Sequence, residues 1–326
     1  MRAIHATEAG GPEVLTVVDL PDTPPGAGEV RVEVAAAGVN FIDTYRRGGV
    51  YPMEFPHVVG SEGAGTVVEL GDGVTEFSVG DHVAWAAAPG SYAERVNVPV
   101  QEAIPVPAGI DLHTAAALPL QGMTAHYLSA STFPVSPGDV ALVHAGAGGV
   151  GLLLTQLVVR RGGRVISTVS TEEKELLSRE AGAERVVRYT ELDDLTGELP
   201  QIVRELTDGR GVDVVYDGVG RATFDASLGS LRPRGMLVLF GGSSGQVPPF
   251  DLQRLNGAGS LFVTRPTLAH YTADRAELLW RAADLFHAVA DGLDVRIGQE
   301  FPLAEAAAAH TALEGRQTTG KVLLVP

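Results

Sequence analysis

The chain has 326 residues, 45% of them hydrophobic and 20% charged, a length at which one hydrophobic core usually gives way to two domains. Forty acidic residues face 24 basic ones, and the net charge of −16 repels phosphate backbones, which argues against a nucleic-acid partner. There is no cysteine, so disulfides, thiolate nucleophiles and thiolate zinc sites are excluded, and no apolar run approaches the ~20 residues that span a bilayer.

The opening residues carry no signal-peptide pattern, so the expected compartment is the cytoplasm, with no membrane partner. The first ~120 residues are short, Val-rich and alternating ("EVRVEVAAAGV", "GAGTVVELG", "DHVAWAA", "SYAERVNV"), with turn formers between them, and predict an all-β region. "DLHTAAALPLQGMTAHYLSAS" then turns Ala- and Leu-rich at helical spacing and marks a boundary near residue 120. From there strands and helices alternate: "DVALVHA", "RVISTVS", "RVVRY", "VDVVYDGVG", "MLVLFGGS" and "SLFVTRP" read as strands. Between them "VGLLLTQLVVRRGG", "TEEKELLSREAG", "LPQIVRELTDG" and "TFDASLGSLRPRG" read as helices. That rhythm implies a doubly wound parallel sheet covered by helices, an α/β fold. After ~265 two more helices precede "TTGKVLLVP", a late strand expected to return to the first domain. The expected division is 1–122 with 266–326 for one domain and 123–265 for the other.

"HAGAGGVG", residues 144–151, sits between the first of these strands and its helix. Gly146, Gly148 and Gly151 fit G-x-G-x-x-G, and Gly149 adds a fourth glycine. In a chain with 40 glycines the pattern alone is weak; its strand–turn–helix context makes it a dinucleotide fingerprint. A tight turn, close approach of backbone to pyrophosphate and close helix-on-strand packing each ask for glycine. An NAD site usually ends the second strand on an acid that takes the ribose 2′-OH. Here that strand runs into Ser170 and Thr171; Glu172 and Glu173 follow, but Ser170-x-x-Glu173 also reads as a capping box. Lys174 lies one turn on, and Arg188 and Tyr189 end the third strand. A hydroxyl with cations suits a 2′-phosphate, so NADPH is the expected cofactor; an NADH preference would mean that Glu172 or Glu173 takes the ribose.

Taken together, "AAGVNFIDTYRRGGVYP", "PHVVGSEGAGTV", "GDHVAW", "GSYAE", "LQGMTAHYL", "HAGAGGVG", "YDGVG", "FGGSSG", "TRP" and "TGKVLLVP" resemble the zinc-free quinone oxidoreductases of the medium-chain dehydrogenase/reductase superfamily, the zeta-crystallin group. The resemblance runs from residue ~28 to the end of the sequence. It implies a GroES-like β domain formed by both ends of the chain and a Rossmann domain, with the nicotinamide in the cleft between them. It implies Asn40, Tyr45, Tyr51 and Thr124 around the nicotinamide, and Gly149 and Val150 at the pyrophosphate. It further implies Lys174 and Tyr189 at the 2′-phosphate, Phe240, Gly242 and Ser243 beside the cofactor, and Arg316 as a C-terminal cofactor contact. Gly218 and Gly242 stand where such proteins often carry polar side chains. Zinc-dependent relatives carry Gly-His-Glu and catalytic cysteines; here "GSEG" puts Ser61 in the histidine's place, and His57 and His82 read as structural, so no metal is expected.

Without a Lewis acid to hold an alkoxide, alcohol dehydrogenation is unfavoured, whereas quinones and α,β-unsaturated carbonyls are already electrophilic. Tyr51 is either a proton donor or only a packing residue for the nicotinamide, Asn40 positions rather than catalyses, and solvent is the other proton source. "GGSSG" also satisfies G-x-S-x-G with Ser243 as nucleophile, but that motif needs a helix next and "QVPPFDLQ" forbids one. Two further alternatives are an enoyl-thioester reductase, with Arg46 and Arg47 as a cationic entrance unless they are merely solvated, and an NADPH-responsive binding protein without catalysis. "GSLFVTRP", near 260–265, reads as an apolar edge strand that would pair with its twin in a homodimer.

Overall fold

A computed structural model describes residues 1–326. The chain divides into two compact units, Met1–Met123 with Asp274–Pro326, and Thr124–Ala273. Residues 266–273, expected in the first domain, lie in the second unit. There the Tyr271 ring stacks on Tyr127 at 4.2 Å, and its hydroxyl accepts from Thr132 Oγ1 at 3.0 Å.

In the first unit the strand Glu29–Val39 is the organiser. It pairs antiparallel with Glu62–Leu70, with Arg95–Pro99, and with the late strand Lys321–Val325, which also takes Ile297–Pro302 as a parallel neighbour. The alternation of the sequence puts Val30, Val32, Val34, Val67, Val83, Trp85 and Val322 into one core. The Trp85 indole, fully buried, donates to Ser91 Oγ at 2.8 Å. A second sheet, three strands wide, joins Leu15–Asp19, Arg2–Ala6 and His57–Val58. The region read as all-β is interrupted by a short helix, Phe41–Arg47, started by Asp43 Oδ2 accepting from the Asn40 backbone N–H at 3.0 Å. The Ala-rich stretch forms Leu112–Ala117 and Pro119–Tyr127 rather than one helix, because Pro119 has no N–H to continue the first.

The second unit is a six-stranded, wholly parallel sheet. Numbered by chain position, its strands lie in the order 3-2-1-4-5-6, the arrangement of a dinucleotide-binding fold with its switch point beside strand one, Val140–Val143. That strand is buried throughout, as a sheet covered on both faces requires. One expected helix is cut short. "TFDASLGSLRPRG" is helical only over Phe224–Ser230, and the fifth strand, Leu231–Leu239, begins five residues before Met236. Pro233 disfavours helical backbone at Arg232, and a register shift against Val212 and Val214 absorbs the residues between Leu231 and Met236.

Candidate active site

In the second unit the expected residues gather at the carboxyl ends of the parallel strands. Strand one ends into His144 and the glycine turn, and Gly149–Arg160 follows as a helix. Gly148 is its N-cap and no side chain caps it, so the first-turn N–H groups are left for an anion. Two glycines are sterically required: a methyl on Gly146 would overlap Ser167 Oγ, and one on Gly151 would overlap the Ala145 carbonyl oxygen. Ala145 itself is left-handed, with φ 54°. These features fit a pyrophosphate carried on backbone N–H groups.

Beneath the turn lies a buried polar chain whose proton positions follow from its ends. Asp217 accepts from the Val219 and Gly220 N–H groups, from Thr223 Oγ1 and from Ser227 Oγ, the last at 2.8 Å. Ser227 therefore has only a lone pair for His144 Nε2, 3.0 Å away, so that nitrogen carries the proton. Thr168 Oγ1 then donates to His144 Nδ1 at 2.8 Å. Burial lowers the His144 pKa and keeps the ring neutral.

Strand two, Arg164–Val169, ends into Ser170. The following helix, Glu172–Glu180, is capped by Thr171, whose hydroxyl accepts from Lys174 N at 3.2 Å; the capping box expected from Ser170 and Glu173 is not used. Ser170 instead offers its carbonyl to Thr190 Oγ1 at 2.7 Å. Strand three, Arg185–Arg188, leads into Tyr189, and Arg188 is held by Glu175 and Glu191 at 3.2 and 2.9 Å. Past strand five, the Phe240 N–H donates to the Asp217 carbonyl, Ser243 N to that of Gly218, and Ser244 N to that of Val219, which binds this loop to the one after strand four. A Cβ on Gly218 would lie 2.8 Å from the Phe240 ring, so the side chain absent there is replaced by that ring. No helix follows Ser243 before residue 253, which removes the nucleophile-elbow reading.

In the first unit, Asn40, Tyr45 and Tyr51 cluster about the helix Phe41–Arg47. The Tyr45 and Tyr51 ring centres are 6.2 Å apart, and Val50 N donates to the Tyr45 carbonyl at 2.9 Å. Arg316 is a left-handed residue (φ 56°) just past the helix Ala306–Glu314, whereas Thr124, buried on the helix Pro119–Tyr127, is the first residue of the second unit.

Several polar residues of this unit went unread in the sequence. Asp43 accepts from Ser61 Oγ at 3.0 Å and Tyr92 Oη at 3.2 Å, and Arg46 donates to that serine at 2.5 Å. Tyr92 in turn accepts from His310 Nε2 at 3.1 Å, and Arg47 donates to His310 Nδ1 at 2.9 Å. Burial pushes the Asp43 carboxyl up to about 6; burial, then the Arg47 charge, brings His310 down to about 3. Arg47 is buried and also paired with Glu314, so the adjacent arginines are not a solvated pair. Next to this chain, Lys321 and Glu62, 1% and 0% exposed, form a buried ion pair that also holds Asn40. The available signals were a lysine heading the apolar run "VLLV" and a glutamate among the glycines of "GSEGAG".

A family model described as zinc-binding dehydrogenase matches residues 149–277, and one described as alcohol dehydrogenase GroES-like domain matches residues 26–108. A quinone oxidoreductase of Pseudomonas aeruginosa is 46% identical, over 100% of this chain and 99% of its own. A 2-haloacrylate reductase of a Burkholderia species is 43% identical, over 97% and 96%. A mycobacterial protein solved in complex with NADPH is 52% identical and superposes with a TM-score of 0.97, covering all of both chains. The chain belongs to the zinc-free quinone oxidoreductase family of the medium-chain dehydrogenase/reductase superfamily. The zinc in the first model's name does not fit these residues: there is no cysteine, Ser61 faces a guanidinium, and the Asn40 oxygen is taken by an ammonium. No group of three or more histidines and carboxylates has metal-binding geometry, and no helix is long and apolar enough to cross a membrane.

Proposed function

We propose that the chain binds NADPH and reduces a quinone or a related α,β-unsaturated carbonyl, as a homodimer in the cytoplasm. The observation that carries this reading is the uncapped helix start behind Gly146–Gly151 at the switch point of the sheet. Full-length relatives named for quinone reduction and solved with NADPH support it. NADPH, when bound, supplies the hydride. The protein's part is to bind, orient and exclude water. Backbone groups of Gly146, Gly148, Gly149, Val150 and Gly151 take the pyrophosphate; Ser170, Lys174 and Tyr189 take the 2′-phosphate. Phe240, Gly242, Ser243 and Arg316 lie along the cofactor, with Asn40, Tyr45, Tyr51 and Thr124 at its nicotinamide end. With a donor set that does not fit zinc, nothing polarises an alcohol oxygen, which favours acceptors already electrophilic.

Tyr51 is 42% exposed and free to reach a ligand, and a phenol hydroxyl can donate a hydrogen bond. Tyr51→Phe is expected to slow product formation without changing NADPH affinity; an unchanged turnover assigns the proton to solvent. The second reading, an activated alkene as acceptor, is favoured by the 2-haloacrylate reductase relative. A coenzyme A thioester is disfavoured because Arg46 and Arg47, its candidate cationic entrance, are committed to Ser61, His310 and Glu314. The dimer reading rests on the sheet's last strand, Phe262–Thr264, an edge on which Phe262 is 57% and Val263 37% exposed. Val263→Asp is expected to give monomers by light scattering.

The deciding experiment is stopped-flow oxidation of NADPH by 1,4-benzoquinone and then by an enone, with NADH in parallel. Rapid NADPH-preferring oxidation is the expected result. Tight NADPH binding without turnover on either acceptor would replace catalysis by a binding role, and an NADH preference would move the ribose contact to Glu172 or Glu173.

A further inference from the structure

Arg188 is the last residue of strand three, and its register partner is Val169, the last residue of strand two. It therefore stands beside the place where an NAD site sets an acid on the ribose. Two carboxylates hold its guanidinium. Glu175 Oε2, from the first turn of the helix Glu172–Glu180, lies 3.2 Å from Nε, and Glu191 Oε1, from the short turn after the strand, lies 2.9 Å from Nη2. Arg179 Nη2 lies 2.8 Å from Glu175 Oε1, so the four side chains alternate in sign and sum to zero. Nη1 of Arg188 takes no part in either contact.

Two hydrogen bonds fix the same corner. Thr190 Oγ1 donates to the Ser170 carbonyl at 2.7 Å, which draws the turn after strand three against the end of strand two. Thr171 Oγ1 accepts from Lys174 N, so Lys174 and Glu175 follow one another in the first helical turn. The Glu175 contact then brings the Arg188 guanidinium to that turn, one residue from Lys174. Ion pairs this open to water, with Arg188 35% and Glu191 57% exposed, add little to stability, so folding does not account for the cluster. Its effect falls on an anion. Glu175 and Glu191 alone would repel a phosphate; with Arg188 between them they are neutralised, and a planar set of N–H donors suited to phosphate oxygens is held at the strand end.

We infer that Arg188 is a second cation for the 2′-phosphate of NADPH, acting beside Lys174 and held in place by Glu175 and Glu191. The inference rests on the NADPH reading and concerns residues of the second unit alone. Arg188 is thus a specificity residue, because it meets the one group that separates NADPH from NADH. Glu175 and Glu191 are positioning residues.

The test is calorimetric titration of the full-length protein with two fragments of the cofactor, 2′,5′-ADP and 5′-AMP, which differ only in the 2′-phosphate. Arg188→Met is expected to raise the Kd for 2′,5′-ADP about tenfold, ~1.4 kcal/mol, and to leave that for 5′-AMP unchanged. Arg185→Met changes the net charge equally at the other end of the same strand, and is expected to alter neither. An equal loss in Arg185→Met would assign the effect to the field of the whole protein and overturn the contact. A 2′,5′-ADP affinity in Arg188→Met that falls no further than that of 5′-AMP overturns it as well. Because Arg188→Met also uncovers two carboxylates, the triple variant with Glu175→Gln and Glu191→Gln separates contact from screening. The loss persists there if the guanidinium meets the phosphate; its disappearance reduces Arg188 to a screen for its neighbours and overturns the inference. Wild-type protein that binds the two fragments equally overturns instead the NADPH preference on which the inference rests.

Discussion

Asp217 in the second unit and Asp43 in the first are both buried carboxylates that collect donors where the chain turns into a helix. Each accepts from a backbone N–H and from hydroxyls, and each is linked through one hydroxyl to a neutral histidine protonated on Nε2. They differ in how the chain ends. From Asp217 it passes through Ser227 and His144 to Thr168 and meets no further charge. From Asp43 it runs to Arg47 on one side and Arg46 on the other. The comparison teaches that one hydrogen-bonding plan serves two purposes. The version without a cation stiffens the floor of a glycine turn, and the charged version, with its two arginines, ties together residues 43, 92 and 310 and holds a carboxyl pushed up to about 6.

The charged version is the easier one to break with acid. His310 has a folded pKa of about 3 against 6.5 when unfolded, so its contribution is fully present above pH 6.5 and is lost as the pH falls toward 3. Asp43, about 6 folded against 3.8 unfolded, works the other way: its contribution is present below pH 3.8 and lost as the pH rises through 6. His310→Gln is therefore expected to remove up to ~5 kcal/mol of acid-side decline and expose the opposite slope of Asp43 between pH 4 and 6, read as Tm against pH. A variant that keeps the wild-type profile would show that the decline lies elsewhere.

Asp217→Ala strips the partner from two N–H groups and two hydroxyls, and is expected to cost ~3–5 kcal/mol in urea unfolding. At the turn itself, Gly151→Ala is expected to lose ~1–3 kcal/mol and more than tenfold in NADPH affinity, because the clash is with backbone. Gly148→Ala, whose methyl would sit 3.2 Å from the Ala145 carbonyl oxygen, is the milder control. The smallest effect, ~1 kcal/mol, is expected for Thr168→Val, which leaves only His144 Nδ1 unpaired. Equal losses for Asp217→Ala and Thr168→Val would mean that the second network is held by its far end rather than by the carboxylate.

The second unit was largely legible in the sequence because its signals are local: a buried strand, a glycine turn and a helix follow one another within thirty residues. Where it misled, the cause was also local, Pro233 ending a helix that its alanine and leucine spacing promised. The first unit hid more. The helix Phe41–Arg47 is only two turns of "FIDTYRR", with too little length for a period to show, and its one signal was Asn40-x-x-Asp43. Lys321 and Glu62 are separated by 259 positions, and no spacing rule joins them. The family resemblance named the residues around Asn40 but carried no information on what holds its amide.

The late strand Lys321–Val325, seated between Glu29–Val39 and Ile297–Pro302, has a consequence for the order in which the protein matures on the ribosome. Thr124–Ala273 is continuous and can fold as soon as it emerges. The first sheet has to wait for its last strand. Until that strand docks, Glu62 has no cation and the Asn40 amide can turn either way. The nascent chain thus passes through a stage in which the parallel sheet of the second unit is finished while the first sheet, and with it the seat of Asn40, is not. The arrival of one lysine, Lys321, then locks the amide.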